Sequence, residues 1–173
     1  MGEKVIVLSQ EEISRRVKEL GKMITKDYSG KKLVVIGILK GAFIFMADLV
    51  REIDLLIELD FVRLSSYGAS STSCGEVRFT KDIELAIAGK DVLIVEDIVD
   101  TGRTLAYLRD IITCHEPNTV RICALIDKKE RREVPVWVDY VGFDIKEGFL
   151  VGYGLDHAEK YRNYREVYHL KST

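Results

Sequence analysis

The 173-residue chain has no excess of charge of either sign: 26 lysines and arginines stand against 28 aspartates and glutamates, a formal net charge of −2. No global field recruits nucleic acid or an anionic membrane, so any anion must be bound locally. There are only three cysteines, Cys74, Cys114 and Cys123, with no CxxC spacing. The odd number argues against a disulfide framework or a zinc site and suits a reducing compartment. No apolar run approaches the roughly 20 residues that cross a bilayer, because lysines and acids interrupt each one. The opening MGEKVIVLSQ has too short an apolar run for a signal peptide, and position six is not the Ser or Thr that myristoylation requires. A cytoplasmic protein with no nucleic-acid and no membrane partner is expected. Neither a GxGxxG nor a Walker A sequence occurs, which removes a dinucleotide-dependent oxidoreductase from consideration.

What is present is a regular alternation. Ser9-Gln10-Glu11-Glu12 is a capping box ahead of a helix whose apolar positions are Ile13, Val17, Leu20, Ile24 and Tyr28. Leu33 to Leu39, LVVIGIL, reads as a strand buried on both faces, followed by a helix from Ala42 to Ile53 and a strand from Ile57 to Leu64. Glu76 to Thr80 is a returning arm. Val92 to Val95 is another buried strand, a helical pattern runs through Leu105, Leu108, Ile111 and Ile112, and Thr119 to Asp127 is a further strand. Trp137, Tyr140, Val141 and Phe143 alternate as a short strand, either core or subunit contact. This pattern predicts one domain, 1–173, of the α/β class: a doubly wound, mostly parallel sheet flanked by helices, with its core at about 33–127. A small hood is expected from the N-terminal segment and about 128–173, where the alternation stops.

The chemistry concentrates in Val92 to Leu105, VLIVEDIVDTGRTL. Glu96, Asp97 and Asp100 follow an apolar strand, then Thr101-Gly102-Arg103-Thr104 leads into a helix. Strand, short turn and helix N-terminus together make an anion site, since free backbone N–H groups and the helix dipole point at the turn. Three neighbouring carboxylates would serve a bare phosphate poorly, so the ligand should also bring hydroxyl donors or a hard cation such as Mg²⁺. A ribose phosphate has both features. Lys40-Gly41 and Lys128 also lie at strand exits, where open α/β sheets place their ligands. By themselves, however, Lys40 reads as a solvated turn and the run from Asp127 to Arg132 as a solvated face. The small, polar stretch from Ser65 to Gly75 suits a lid that excludes water. Phe149 alone would be assigned to the core, and His157 beside Asp156 to the surface.

VEDIVDTGRTL resembles the phosphoribosyl pyrophosphate (PRPP) motif of the type I phosphoribosyltransferases, in wording nearest to the hypoxanthine-guanine branch. The resemblance extends from Leu33 to Arg162 and implies roles residue by residue. Glu96 and Asp97 would hold the ribose hydroxyls and, with Asp156, lie at the metal. Asp100 would be the catalytic acid/base, and Asp100 to Thr104, including Arg103, the phosphate turn. Lys40 and Gly41 would form the pyrophosphate loop after a cis Leu39–Lys40 peptide, joined by Arg162. Lys128 would donate to the purine 6-oxygen, Phe149 would stack on the ring, and Leu150 would meet the base edge through its backbone. Ser66 and Tyr67 would belong to the lid. The departures lie mainly in the lid sequence and in Arg131 to Trp137.

The implied reaction is Mg²⁺-dependent transfer of phosphoribosyl from PRPP to N9 of hypoxanthine or guanine, giving IMP or GMP and pyrophosphate. A homodimer or homotetramer is implied with it. An ammonium at Lys128 offers donors only and so favours a 6-oxo over a 6-amino base. Three rivals stand beside it: the same chemistry with xanthine preferred, a nucleotide- and RNA-binding regulator, which would need a basic face, and a phosphoacceptor receiver domain. The receiver's acidic pair belongs near the chain start, not after ninety-five residues.

Overall fold

A computed structural model describes residues 4–67 and 76–171. Twelve elements are ordered along them: β1 (Lys4–Leu8), α1 (Gln10–Asp27), β2 (Leu33–Leu39), α2 (Phe43–Arg51), β3 (Ile57–Tyr67), β4 (Glu76–Lys81), β5 (Asp91–Val99), α3 (Arg103–Thr113), β6 (Thr119–Asp127), β7 (Tyr140–Asp144), β8 (Leu150–Val151) and β9 (Val167–Leu170). Six strands form one sheet in the order β4-β3-β2-β5-β6-β7. The pairs β3–β2, β2–β5, β5–β6 and β6–β7 are parallel, and β4 alone is antiparallel at the edge. This is the doubly wound, mostly parallel sheet that the alternation predicts.

Both faces of the sheet are buried, which is why β2 and β5 read as unbroken apolar runs rather than alternating ones. On one face Leu33, Val35, Leu93, Val95, Cys123 and Leu125 pack with the apolar stripes of α1 and α2. On the other, Val34, Ile36, Val92, Ile94 and Ile122 pack against Leu105, Leu108 and Ile112 of α3. The α1 stripe is the predicted one, with Ile13, Val17, Leu20, Ile24 and Tyr28 all buried. Its capping box is complete: the Ser9 hydroxyl accepts from the Glu12 N–H at 3.2 Å, and the Glu12 carboxylate accepts from the Ser9 N–H at 2.8 Å.

The chain leaves β2 through α2 toward β3, and leaves β5 through α3 in the opposite direction toward β6. The winding therefore reverses between β2 and β5, and a crevice opens beyond their carboxyl ends. Open α/β sheets bind their ligands there, for no side chain from a crossover covers that edge. A second, three-stranded antiparallel sheet, β1-β9-β8, is drawn from both ends of the chain. Trp137 is not core: it precedes β7 and is 76% exposed, whereas Tyr140, the first residue of β7, is 2% exposed. Among the described residues no helix is long and apolar enough to cross a membrane.

Candidate active site

The strand carrying the acidic motif is longer than its apolar run suggests. β5 continues to Val99 and pairs with β6 at Glu96↔Ala124, Ile98↔Ile126 and Val99↔Asp127. Glu96 and Asp97 are thus strand residues held by the ladder, not members of a loop, and each is 8% exposed. The Asp97 N–H donates to Glu96 Oε1 at 3.1 Å, and the Ile98 N–H to Asp97 Oδ1 at 2.8 Å. Burial pushes both carboxyls above their ordinary range, and Glu96 rises well above it because the neighbouring Asp97 acts in the same direction. The Ile98 N–H and the Arg162 charge oppose the rise at Asp97 without cancelling it. Two buried oxygen donors lacking full charge compensation fit hydroxyl donors or a hard cation.

Beyond β5 the chain turns through Asp100 to Gly102 into α3. Gly102 adopts φ 84°, and a Cβ there would lie 2.4 Å from the Val134 carbonyl oxygen, so only glycine fits. Unlike α1, α3 has no side chain at its N-cap, Gly102; the Thr101 hydroxyl accepts from the Arg103 N–H at 3.4 Å. The start of α3 borders a cleft of about 110 Å³ lined by Glu96, Ile98, Val99, Asp100, Thr101, Gly102, Thr104 and Leu105. Asp100 Oδ2 pairs with Arg131 Nη1 at 3.3 Å, while Asp100 Oδ1 is buried with no hydrogen-bond partner among the described residues. Arg103 is exposed and paired with Glu133. A wider groove of about 570 Å³ between α1, α2 and the hood is lined by residues such as Ser14, Arg51 and Asn163, and none of the motif residues reaches it.

The Leu39–Lys40 peptide at the end of β2 is cis, as the resemblance implies. Gly41 follows, and a Cβ on it would sit 1.9 Å from Asp97 Oδ2. The hood closes on the same point, because a Cβ on Gly154 (φ 102°) would lie 2.1 Å from the Gly41 carbonyl oxygen. Lys40 Nζ meets Glu159 Oε2 at 2.9 Å. Arg162 donates to the Gly154 carbonyl at 2.7 Å, to Asp156 Oδ1 at 2.8 Å and to Glu159 Oε2 at 3.4 Å. Just past the end of β6, Lys128, 8% exposed, donates to the Gly148 carbonyl at 2.9 Å and meets Glu130 at 3.2 Å. Phe149 is 51% exposed, with His157 edge-on at 5.2 Å, so it is not a core aromatic; Leu150 is buried in β8.

The structure therefore brings Glu96, Asp97, Asp100 to Thr104, Lys40 and Gly41 to the ends of adjacent strands. Lys128 sits one strand further, and Asp156 and Arg162 come from the hood. It does not gather Glu96, Asp97 and Asp156 into one cluster: among the described residues no three His, Cys, Asp or Glu side chains could together hold a metal. Ser66 and Tyr67 end β3, pairing by backbone with Val77 and Glu76. Their side chains, and 68–75 of the expected lid, lie outside the described residues.

Sequence reading missed two contributors. Glu159, which holds both Lys40 and Arg162, sits among non-glycine residues at positive φ (Ala158 51°, Glu159 61°, Tyr161 77°) and has no motif. Arg132 was hidden in a charge run that reads as solvated, yet its side chain is only 17% exposed.

Comparison with known proteins agrees with this geometry. Residues 6–158 match the phosphoribosyl transferase domain family. The hypoxanthine-guanine phosphoribosyltransferase of Streptococcus thermophilus is 50% identical over 160 residues, covering 92% of this chain and 89% of that one. The hypoxanthine phosphoribosyltransferase of Haemophilus influenzae is 50% identical over 161 residues, 91% and 90% of the two chains. Among solved structures, the hypoxanthine phosphoribosyltransferase of Staphylococcus aureus superposes with a TM-score of 0.92 at 44% identity, covering 96% and 91%. Matching in sequence along nearly its whole length and in backbone course, the chain belongs to the phosphoribosyltransferase family, in its hypoxanthine-guanine branch.

Proposed function

We propose that the protein transfers the 5-phosphoribosyl group of PRPP to N9 of hypoxanthine or guanine, forming IMP or GMP and pyrophosphate in purine salvage. The observation that carries this reading is the convergence on one crevice of a buried acid pair, a helix N-terminus whose N-cap is glycine, and a buried lysine just past the end of the next strand.

The residues divide the work. The first turn of α3 and Thr101 to Thr104 bind the 5′-phosphate, and Glu96 and Asp97 accept hydrogen bonds from the ribose 2′ and 3′ hydroxyls. Lys40, the Gly41 backbone and Arg162 bind the pyrophosphate. Phe149 offers its exposed face to the purine, Leu150 its backbone to the base edge, and Lys128 donates to the 6-oxygen. As the N9–C1′ bond forms with inversion, the C1′–O bond breaks and its electron pair leaves with pyrophosphate. The ring proton at N7 passes to the carboxylate of Asp100, which lines the cleft. Holding donor and acceptor aligned supplies much of the rate. Mg²⁺ would be held mainly by substrate oxygens, with the Glu96–Asp97 pair on one side and Asp156 on another rather than as one protein cluster, and it would neutralise charge on the departing pyrophosphate. A cytoplasmic homodimer or homotetramer completes the reading, with Ser66 and Tyr67 in the closing lid.

The test is Mg²⁺-dependent formation of nucleotide from PRPP with hypoxanthine, guanine, xanthine and adenine in parallel. Turnover of the 6-oxopurines without adenine is expected; saturable PRPP binding with no turnover of any base would refute it.

A further inference from the structure

We infer that Arg132 is a positioning residue that locks the phosphate turn at the end of β5 to the purine lysine at the end of β6, an inference that rests on the proposed reaction. Its guanidinium is spread over five acceptors. Nε donates to the Asp100 carbonyl at 3.0 Å, and Nη1 to the Val136 carbonyl at 3.4 Å. Nη2 lies 3.3 Å from the Val99 carbonyl, 2.5 Å from Asp127 Oδ1 and 3.3 Å from the Lys128 carbonyl. The first and third acceptors belong to β5 and its turn; Asp127 and Lys128 belong to β6 and its exit.

The parallel ladder between β5 and β6 stops at Val99↔Asp127. Beyond that pair only the Lys128 N–H to Val99 carbonyl bond, 3.0 Å, continues it by backbone. Asp100 and Lys128, which must meet the neighbouring N7 and 6-oxygen on one edge of the purine, lie at or past that limit. Arg132 replaces the missing ladder with a planar fork. The segment around it does the same for the rest of the turn, since the Glu133 and Val134 N–H groups both donate to the Thr101 carbonyl, at 2.9 and 3.0 Å. The neighbouring Arg131 pairs with the Asp100 carboxylate while Arg132 holds the Asp100 carbonyl. The separation of proton acceptor and 6-oxygen donor is thereby set by one side chain that touches neither base nor ribose. Lysine cannot substitute: its three donors leave one point, whereas the acceptors are arrayed along the guanidinium plane.

The experiment compares wild type with Arg132→Lys, which keeps a cation beside the buried Asp127 and so preserves folding, and Arg132→Ala, with and without methylguanidinium. Steady-state kinetics and amide hydrogen exchange are measured on the same preparations. Arg132→Lys should fold with its α1 exchange unchanged, lose about tenfold or more in kcat with smaller changes in either KM, and exchange about tenfold faster across 99–104. Methylguanidinium should restore kcat of Arg132→Ala more than that of Arg132→Lys. Unchanged exchange across 99–104, or unchanged kcat in folded Arg132→Lys, overturns the inference. An inactive wild type would instead count against the proposed reaction, while the exchange comparison would still decide whether Arg132 holds the turn.

Discussion

Gly41→Ala is the sharpest perturbation of the site. An added methyl carbon would lie 1.9 Å from Asp97 Oδ2, 2.5 Å from Cγ and 2.9 Å from Oδ1. Ordinary contact begins at 3.4 Å, so something must move by at least 3.4 − 1.9 = 1.5 Å. The loop cannot retreat, because its own carbonyl oxygen is already against Gly154, and Asp97 Oδ1 is fixed by the Ile98 N–H. Gly41 is not among the residues at positive φ, so alanine adds no backbone strain and the effect is purely one of contact. Displacements of about 1 Å at reacting groups cost about 100-fold, or about 2.7 kcal/mol, and more than that is expected here in kcat/KM for PRPP. Overpacking of about 1–3 kcal/mol should lower the melting temperature only by several degrees. The assay is initial-rate nucleotide synthesis with PRPP varied, beside a thermal melt. A folded variant within about threefold of wild type in kcat/KM would refute the claim that Gly41 sets the Asp97 carboxylate.

Burial keeps the Glu96 carboxyl protonated to higher pH in the folded than in the unfolded chain, so its contribution to stability is full below the ordinary carboxylate range and is lost as pH rises through the folded-state value. Glu96→Gln should flatten that slope, raise the ligand-free melting temperature at neutral pH and weaken PRPP binding; an unchanged pH profile of melting would contradict the cause given. Asp100→Asn should melt like wild type yet lose about 100-fold in kcat, as general acid–base groups typically contribute, and full turnover would remove the proton-accepting role. For Phe149→Ala, half-exposed in the wild type, the expectation is a raised KM for the base with little change in melting, checked by varying hypoxanthine and PRPP separately. Ser9→Ala breaks the α1 capping box far from the crevice and should cost about 1 kcal/mol in denaturant unfolding without altering kcat.

What the sequence could reveal followed from its periodicities. The apolar runs at 33–39 and 119–127 become β2 and β6 with the predicted limits: β2 is buried on both faces and has no polar residue until it ends, and β6 has only Thr119 and Arg121 at its less buried start before an apolar run that closes on Asp127. β5 breaks that rule: Glu96 and Asp97 remain in the ladder, and a polarity-based reading ends the strand too soon. Likewise β3 runs past Leu64 to Tyr67, since backbone pairing with β4 continues after the apolar residues stop. Phe149 and Trp137 carry no local sign of exposure. Arg132 could not be found from spacing, since its value lies in carbonyl groups, which every residue possesses and no sequence displays.

The small sheet of the hood has a consequence for how the chain is made. β9 lies between β1 and β8, with Leu170 opposite Lys4 and His169 opposite both Val5 and Leu150. Among the described residues strand β8, which carries Leu150, has no other partner strand. Every strand of the main sheet is synthesised before β9, and β1 waits more than 150 residues for its mate. Pairings this distant in sequence form late. On the proposed reading, the strands and helix that carry the phosphate side precede β9 in the chain, whereas the purine side, through Leu150 of β8, gains its strand partner only when Val167 to Leu170 pair with it.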